Sequence, residues 1–269
     1  MSESELSHST MEKPKVVILC GGKGTRLREQ TEFMPKALVR VGEMPVLWHV
    51  MKIYSYYGYN NFVLCLGYKG YMIKEFFMNL DLIENDFTLN LKSKSERIIN
   101  HNSKVEDWTI TFAETGLDTP TGGRIKKIEK YIQDENFFAT YCDGISNVNI
   151  KNLYEYHLKK NKIATLTVVH PMSQFGILDI GGGLATSFKE KPYMEGLING
   201  GFFVFNRKMF DYLKESSVLE EEPLRRLVKE RQLAVHEHKD FWACIDTFKD
   251  VERFNDIWEK GNIPWVVWK

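Results

Sequence analysis

The stretch that decides the fold is Lys15-Val16-Val17-Ile18-Leu19-Cys20-Gly21-Gly22-Lys23-Gly24-Thr25-Arg26-Leu27. The apolar, β-branched run at its start predicts a buried strand, and the glycine cluster after it predicts a turn. Glycines let backbone N–H groups come close to a ligand, and such exposed amides bind phosphate. Arg26 adds a planar cationic fork that suits phosphate oxygens. The stretch therefore predicts a phosphate-binding loop at the end of a buried strand.

Two other glycine motifs are excluded by the residues that follow. The phosphate loop of NTPases needs Lys-Ser or Lys-Thr directly after its last glycine, but Gly24 is followed by Thr25 and Arg26. The dinucleotide fingerprint needs a third glycine, and Leu27 stands in its place. An ordinary strand-to-helix turn remains as the alternative. The combination of Arg26 with Lys36, a little farther along the chain, favours phosphate binding.

Composition limits the classes of function. The chain has 269 residues, with 36 Lys and Arg and 36 Asp and Glu, so its formal net charge is zero. This balance argues against nucleic-acid and membrane binding. No apolar run approaches membrane-spanning length, and the first residues, Met1–Pro14, lack the apolar core of a signal peptide. The sequence therefore predicts no nucleic acid or membrane as partner.

The cysteines are spread along the chain and lie in apolar or aromatic runs, at Cys20, Cys65, Cys142 and Cys244. Their spacing fits neither a zinc site nor a disulfide framework. Buried free thiols in a reducing cytosol are the simplest interpretation, so we expect a cytoplasmic protein.

The first third of the chain alternates strand and helix patterns. After the glycine loop come a helix over Pro45–Tyr57, a buried strand over Phe62–Leu66 and a helix over Tyr71–Asn79. This order implies a parallel sheet with crossover helices. Two later segments alternate with period two, and we expect them to form a half-exposed β extension: Phe87–Leu91 and Trp108–Phe112.

The rest of the chain continues the mixed pattern. A loop is expected over Thr115–Arg124, followed by a helix, Ile125–Tyr131, and a buried strand, Phe137–Cys142. The second half predicts helices over Ile150–Lys160, Pro223–Glu230 and about Phe248–Lys260, and strands at Ala164–His170, Phe175–Ile180, Ser187–Pro192, Leu197–Phe205 and Leu233–His238. We therefore expect an α/β fold, with a Rossmann-like, mixed but mostly parallel sheet flanked by helices. We expect residues 1–13 to form a disordered tail and residues 14–269 to form a single domain.

Ligands of parallel sheets bind beyond the carboxyl ends of the strands. The predicted strands place Gly21–Arg26, Gly123-Arg124 and Asp143 at such ends, so these segments are expected to converge. Asp143 can hold Mg²⁺ together with substrate phosphates, although an Asp-Gly turn is an alternative. Asp246 follows another apolar segment, and by itself it would be a helix N-cap.

A family resemblance rests on motifs that occur in order along nearly the whole chain, from about Lys15 to the end. They are Gly21–Leu27, Pro35-Lys36, Trp48-His49, Gly67–Tyr71, Thr121–Arg124, Asp143-Gly144, Phe175-Gly176, Glu190–Pro192, Ile198–Val204, Asp246-Thr247 and Trp258–Gly261 with Pro264-Trp265 and Trp268. Together they resemble the sugar-1-phosphate nucleotidyltransferases. Within that family, the resemblance is to the cytidylyl branch, the glucose-1-phosphate cytidylyltransferases, because of the Trp-His, Gly-Tyr-Lys-Gly-Tyr and terminal Trp motifs.

The resemblance implies roles for individual residues. Nucleotide contacts are implied for Leu19, Gly21, Gly22, Gly24, Thr25, Arg26, Lys36, Thr119, Gly123, Arg124 and Cys142. Sugar-phosphate contacts are implied for Gly176, Glu190, Lys191, Asn199 and Gly200, and Mg²⁺ ligands for Asp143 and Asp246. Arg26, Lys36, Asp143 and Lys191 would be catalytic. Residues 14–150 would form the nucleotide-binding half, and 151–269 the sugar-phosphate-binding half with a C-terminal helix, in a homo-oligomer.

The implied reaction moves CMP from CTP to a sugar 1-phosphate, with α-D-glucose 1-phosphate the expected acceptor, giving CDP-glucose and pyrophosphate. The attacking phosphate oxygen is already ionised, so no general base is needed and direct in-line displacement is the simplest scheme. Arg124 offers only donors, which match the O2 and N3 acceptors of cytosine but not the N3–H of uracil. We therefore hypothesise that Arg124 favours CTP over UTP. Its alternative role is only to start the following helix.

Departures from the family pattern leave alternatives open. The family usually has glycine where this chain has Cys142, so a Cβ there is expected to crowd a nucleotide. Ala37 replaces a proline, and the loop Tyr193–Leu197 is unusual on the sugar side. The alternatives are another nucleotide, such as UTP or dTTP, another sugar phosphate, or a catalytically silent regulatory homologue. A nicotinamide oxidoreductase is disfavoured because the third glycine is missing.

Overall fold

The structure is a computed structural model, and it describes residues 13–27, 31–92, 106–173 and 175–268, together with the backbone of 97–100. The predicted disordered tail lies outside the described residues, apart from Lys13. In the part of the chain that is described, no helix has the length and apolarity needed to cross a lipid bilayer.

The elements follow the expected mixed order. The helices are α1 (Val46–Tyr56), α2 (Gly70–Met78), α3 (Leu80–Glu84), α4 (Thr121–Lys127), α5 (Ile150–Lys160), α6 (Glu222–Lys229) and α7 (Phe248–Glu259). The strands are β1 (Val16–Leu19), β2 (Arg40–Val41), β3 (Met44–Pro45), β4 (Asn61–Leu66), β5 (Asp86–Leu89), β6 (Arg97–Asn100), β7 (Thr109–Glu114), β8 (Asn136–Tyr141), β9 (Gly144–Ser146), β10 (Ala164–Val169), β11 (Ile177–Gly181), β12 (Leu184–Lys189), β13 (Ile198–Asn206), β14 (Leu233–His238) and β15 (Trp242–Cys244).

The central sheet is mixed and mostly parallel, which confirms the expected fold class. Within the described residues it has seven strands in the order β14-β10-β13-β8-β1-β4-β7. Strand β13 is antiparallel to both neighbours, whereas the other pairings are parallel. β1 lies near the middle, and its four residues are buried because both faces of the sheet are covered.

Two apolar cores cover the two faces of this sheet, and the alternation of side chains along each strand divides the residues between them. Along β1, Val16 and Ile18 pack into one core with α1 and α7, and Val17 and Leu19 pack into the other with α4 and α6. Trp265, near the C-terminus, is fully buried in the first core. Apolar side chains therefore cover the central sheet on both faces.

The expected β extension is only partly confirmed. β5 and β6 pair with each other in a small antiparallel sheet. The segment predicted at Trp108–Phe112 was placed wrongly, because β7 pairs in parallel with β4 as an edge strand of the central sheet. An edge strand has one half-solvated face, so it shows the same period-two pattern as an extension.

Helix α4 begins earlier than expected, since Thr121 to Arg124 are helical rather than part of a loop. Glycines have low helix propensity, which is why the sequence predicts a loop there. The two glycines are needed for close packing. A Cβ on Gly122 would lie 2.8 Å from the carbonyl oxygen of Ser217, and one on Gly123 would lie 2.0 Å from that of Glu215.

Candidate active site

A cleft of about 660 Å³ opens at the carboxyl end of the central sheet. It lies at the ends of β1 and β8 and at the start of the antiparallel β13. The segments expected to converge do meet here. The predicted site residues that line the cleft are Leu19, Gly21, Gly22, Gly24, Thr25, Arg26, Lys36, Thr119, Arg124, Cys142, Asp143, Asn199, Gly200 and Asp246.

Two carboxylates face one ammonium at the centre of the cleft. The Nζ atom of Lys36 donates to Asp143 Oδ2 and to Asp246 Oδ1, each at 2.6 Å. The carboxylates come from loops distant in sequence, which a backbone hydrogen bond from Ile245 N to Asp143 O (3.0 Å) holds side by side. The pairing of Asp143 with Asp246 is therefore built into the backbone.

The charges in this cluster stabilise one another. Burial lowers the pKa of Lys36, but the charges of Asp143 and Asp246 and their hydrogen bonds outweigh burial, so the pKa lies above its ordinary value. Burial raises the pKa of Asp246, whereas Lys36 and Arg26 lower it to below its ordinary value. Arg26 donates to Asp246 Oδ2 at 2.8 Å and is itself largely exposed. At neutral pH the cluster thus carries two cations and ionised Asp246.

The carboxylate pair suits a divalent cation. Mg²⁺ prefers oxygen ligands and is commonly held by one or two carboxylates plus substrate phosphates. Asp143 and Asp246 already converge on a single positive atom, Nζ of Lys36. No group of three or more His, Cys, Asp or Glu side chains forms a metal site among the described residues. The chemistry of the donor set therefore fits an ion that is shared with a phosphate ligand.

The glycines of the loop after β1 are required, or tolerated, for different structural reasons at each position. Gly21 lies against Arg124, so a Cβ there would be 2.0 Å from Nη1 of that side chain. Gly24 has a φ of +61°, in the left-handed region that favours glycine. A Cβ on Gly22 would meet no atom of the described residues within 4 Å. Gly22 is therefore the position at which the space beside the backbone is free for a ligand.

Arg124 is buried and turned toward the protein. Its Nη1 donates to the carbonyls of Leu66 (3.1 Å) and Gly116 (2.7 Å) and to the hydroxyl of Thr115 (2.6 Å). Its Nη2 donates to the carbonyls of Gly21 (3.0 Å) and Leu117. The guanidinium thus ties the glycine loop to the loop after β7. It lines the cleft, but its η nitrogens are engaged with protein acceptors, so base recognition by Arg124 stays a prediction.

Not every predicted contact residue lines the cleft. Gly176, Glu190 and Lys191 lie at the base of the β11–β12 hairpin, where Glu190 Oε2 would be 3.1 Å from a Cβ on Gly176. Lys191 is exposed and has a φ of +47°. Gly123 packs against the loop around Ser217, to whose carbonyl its N–H donates. The contacts predicted for these four residues stay predictions.

Cys142 lines the cleft, and the crowding of a nucleotide by its Cβ stays a prediction. Its side chain is buried in the core that also contains Cys20. Burial, followed by the neighbouring Cys142, raises the pKa of the Cys20 thiol well above its ordinary value. Cys244 also lines the cleft, and burial together with the charges of Asp246 and Asp143 raises the pKa of its thiol to about 12. Cys20 and Cys244 are therefore protonated thiols near neutral pH.

One wall of the cleft is formed by residues that the sequence analysis missed. Tyr141 ends β8, its hydroxyl donates to Glu220, and Asn199 donates to that hydroxyl at 3.3 Å. Burial first, and then the charge and hydrogen bond of Glu220, raise the pKa of Tyr141 far above its ordinary value. The other missed lining residues are Cys20, Pro120, Thr121, Thr140, Gly144, Trp242 and Cys244. The sequence held a signal for Cys20, Tyr141 and Gly144, which stand beside predicted site residues, and for Thr121, which belongs to the Thr121–Arg124 motif.

Comparisons with known proteins identify the family of this chain. Residues 15–262 match the sequence model of the family described as nucleotidyl transferase. A probable glucose-1-phosphate cytidylyltransferase of Bacillus subtilis is 47% identical over 94% of this chain and 100% of its own length. A glucose-1-phosphate cytidylyltransferase of Salmonella typhimurium is 43% identical over 95% of this chain and 100% of its own.

Solved structures share the fold at low sequence identity. An apo UDP-glucose pyrophosphorylase has a TM-score of 0.68 at 14% identity, over 94% of this chain and 100% of its own. A putative glucose-1-phosphate thymidylyltransferase from Bacillus anthracis has a TM-score of 0.66 at 17% identity, over 91% of this chain and 95% of its own. Family match, close relatives and shared fold lead to one conclusion: this chain is an enzyme of the nucleotidyl transferase family and belongs with its glucose-1-phosphate cytidylyltransferases.

Proposed function

We infer that this chain transfers CMP from CTP to α-D-glucose 1-phosphate, forming CDP-glucose and releasing pyrophosphate. The observation that carries this proposal is the meeting of a glycine loop, Lys36 and the carboxylates of Asp143 and Asp246 in one cleft. Two relatives that are 47% and 43% identical to this chain are both named for this activity, which supports the same pair of substrates.

The proposed chemistry is a direct displacement at the α-phosphorus of CTP. The attacking group is a phosphate oxygen of the sugar phosphate, which is ionised at neutral pH and needs no general base. The barrier then comes from repulsion between two polyanions and from charge that develops on pyrophosphate. Lys36 and Arg26 offset that charge and hold the groups in line, and Lys191 would bind the phosphate of the acceptor.

Asp143 and Asp246 would hold Mg²⁺. When bound, the ion would neutralise triphosphate charge and help pyrophosphate to leave. In the structure the ammonium of Lys36 binds the same pair of carboxylates, so the side chains of Asp143 and Asp246 already point toward a cation.

A covalent intermediate on the protein is not needed. No histidine is among the described residues that line the cleft. Cys20 and Cys244 do line it, but burial keeps both thiols protonated and therefore weak nucleophiles. These features favour a single in-line step over a two-step transfer through the enzyme.

The proposal is tested with a panel of nucleotides and sugars. CTP, UTP, dTTP and ATP are each combined with glucose 1-phosphate and other sugar 1-phosphates in the presence of Mg²⁺, and pyrophosphate release is followed. We expect the highest kcat/KM with CTP and glucose 1-phosphate. A clear preference for UTP or dTTP, or for another sugar 1-phosphate, would show that the proposed substrates are wrong. The absence of pyrophosphate release with every combination of nucleotide and sugar phosphate would refute the proposed activity.

We also infer a cytoplasmic homo-oligomer. Several large apolar side chains of the β11–β12 hairpin are exposed, which supports a contact between copies: Leu178, Ile180, Leu184 and Phe188. Light scattering on the purified protein tests the oligomer, and a monomeric mass at micromolar concentration would contradict it.

A further inference from the structure

A chain of hydrogen bonds links Glu220, which does not line the cleft, to two residues that do. One carboxylate oxygen of Glu220 accepts from the hydroxyl of Tyr141, and the other accepts from the hydroxyl of Thr121 at 2.7 Å. Thr121 in turn accepts from the backbone N–H of Leu219 at 2.9 Å. Glu220 therefore joins α4, β8 and the loop before α6 at one side of the cleft.

The chain of hydrogen bonds continues to Asn199, the second residue of the antiparallel strand β13. Because Tyr141 has a single hydroxyl proton and donates it to Glu220, its oxygen is left to accept from Asn199 Nδ2. The amide oxygen of Asn199 accepts from the N–H of Gly201 at 2.8 Å. These two contacts fix which way the amide of Asn199 points. Among the described residues, no further hydrogen bond uses the second N–H of Asn199 Nδ2 or the second lone pair of the Tyr141 oxygen, so both can meet a ligand.

The charge of Glu220 has no basic counterpart in the described parts of the chain. Its oxygens are held by neutral hydroxyl groups, and no ion pair to it is formed there. Hydrogen bonds to a charged group are stronger than those between neutral groups, so a carboxylate fixes the Tyr141 proton firmly. A glutamine would offer either an amide oxygen or an N–H, and the latter would reverse the direction of the Tyr141 hydroxyl.

We propose that Glu220 is a positioning residue for the sugar subsite, which sets the Tyr141 hydroxyl and, through it, the Asn199 amide that meets the sugar hydroxyls of the acceptor. The location agrees with this role, since Asn199 and Gly200 lie near the start of β13 and Tyr141 ends β8, the strand beside β13, where both strands meet the cleft. The proposal rests on the proposed function in one respect, the assignment of Asn199 to the sugar.

The test compares Glu220→Gln, Tyr141→Phe and the double variant, with Glu222→Gln as control. Glu222 is an exposed glutamate at the start of α6, so its change removes the same charge two residues away. We expect Glu220→Gln and Tyr141→Phe each to raise the KM for glucose 1-phosphate by about tenfold, and to change the KM for CTP by less than about twofold. The control should leave both KM values unchanged.

The double variant separates positioning from a general structural effect. If Glu220 acts through the Tyr141 hydroxyl, adding Glu220→Gln to Tyr141→Phe should cause no further rise in KM. Additive effects, or equal effects on the KM for both substrates, would overturn the proposal. Tyr141→Phe keeps the ring that packs edge-on against Phe203, so it answers the question even if the Glu220 variant folds poorly.

Calorimetry gives a readout that does not depend on turnover. CDP-glucose and CDP are titrated into the wild-type protein and into Glu220→Gln. We expect the variant to lose about tenfold in affinity for CDP-glucose and to keep its affinity for CDP. Equal affinities of the two proteins for CDP-glucose would overturn the role of Glu220. Failure of the wild-type protein to release pyrophosphate would instead overturn the proposed function.

Discussion

The ammonium of Lys36 lies 2.6 Å from a carboxylate oxygen of Asp143, and the same ammonium lies 2.6 Å from Asp246. Only 12% of the Lys36 side chain is exposed. Lys36 therefore serves as an internal cation that holds two mutually repelling carboxylates together before any substrate binds. This arrangement makes Lys36 important for the stability of the site as well as for the proposed transfer.

Replacing Lys36 by methionine should affect both properties. We expect Lys36→Met to lower the free energy of unfolding by about 1–2 kcal/mol, because the carboxylates lose their partner in a partly exposed site. Addition of Mg²⁺ should restore part of that loss. We expect kcat to fall by about a hundredfold or more. Urea denaturation with and without Mg²⁺, and pyrophosphate release, measure these effects.

Lys23→Met is the matched control for this change. Lys23 lies in the same loop region but forms an exposed ion pair with Asp118 at 2.7 Å, and it does not line the cleft. It should change stability by less than about 0.5 kcal/mol. If both lysine variants behaved alike, the bridging role of Lys36 would be refuted.

Gly21 and Gly22 should respond differently to alanine. In Gly21→Ala the Cβ would clash with the buried guanidinium of Arg124, so we expect a loss of stability of about 2 kcal/mol or more. In Gly22→Ala the Cβ meets no atom within 4 Å in the part of the chain that the structure describes, so the melting temperature should stay within about 2 °C of wild type. We expect CTP affinity to fall in Gly22→Ala. Thermal unfolding and CTP titration measure the two effects, and a stable Gly21→Ala protein would contradict this account of the loop.

A variant of Arg124 can distinguish two roles of this residue, which are selection of the nucleotide base and support of the loops around it. Arg124→Ala removes hydrogen bonds to the carbonyls of Gly21, Leu66 and Gly116, so we expect at least a tenfold loss in kcat/KM for CTP. The base-selection hypothesis also predicts that the ratio of kcat/KM for CTP to that for UTP falls toward one. Kinetics with both nucleotides measure this ratio. A folded variant with an unchanged ratio would show that Arg124 acts only through the loops.

His49 should make the protein sensitive to acid. It is fully buried, Trp265 donates to its Nδ1 at 3.5 Å, and its Nε2 therefore donates to the Val41 carbonyl at 2.9 Å. Burial lowers the pKa of His49 from 6.5 to about 4. The unfolded chain takes up the proton first, so stability falls as the pH drops from 6.5 toward 4, by about 3 kcal/mol from this residue.

The measurement for His49 is the free energy of unfolding between pH 7.5 and pH 4. His157 has a pKa that burial lowers in the same way, so the wild-type protein contains both contributions. The difference between wild type and His49→Gln isolates His49, and it should shrink as the pH falls. A difference that is constant with pH would contradict a neutral, buried His49.

Much of the fold follows from local sequence. Helix α5 begins and ends where periodicity predicts, and strand β14 has the predicted bounds. These elements have clear hydrophobic patterns and end signals, such as Asn149, whose side chain caps α5. The start of α4 was missed because its glycines serve contacts with a loop about 90 residues away, which local propensity does not record.

The site residues that stand in sequence motifs could be predicted, whereas those that reach the site only through tertiary contacts could not. Lys36, Asp143 and Asp246 stand in recognisable motifs, and the structure brings them together. The engagement of Arg124 with loop carbonyls and the link from Glu220 to Tyr141 depend on tertiary contacts between distant segments. Nothing in the spacing of these residues along the chain indicates that they meet.

The central claim is that fixed charges, without a covalent enzyme intermediate, bring together CTP and a sugar 1-phosphate. The most direct measurement is the rate of pyrophosphate release from CTP and glucose 1-phosphate by the double variant Asp143→Asn and Asp246→Asn, relative to the wild-type protein. The account predicts a rate lower by about a thousandfold or more. A rate equal to that of the wild-type protein would contradict it.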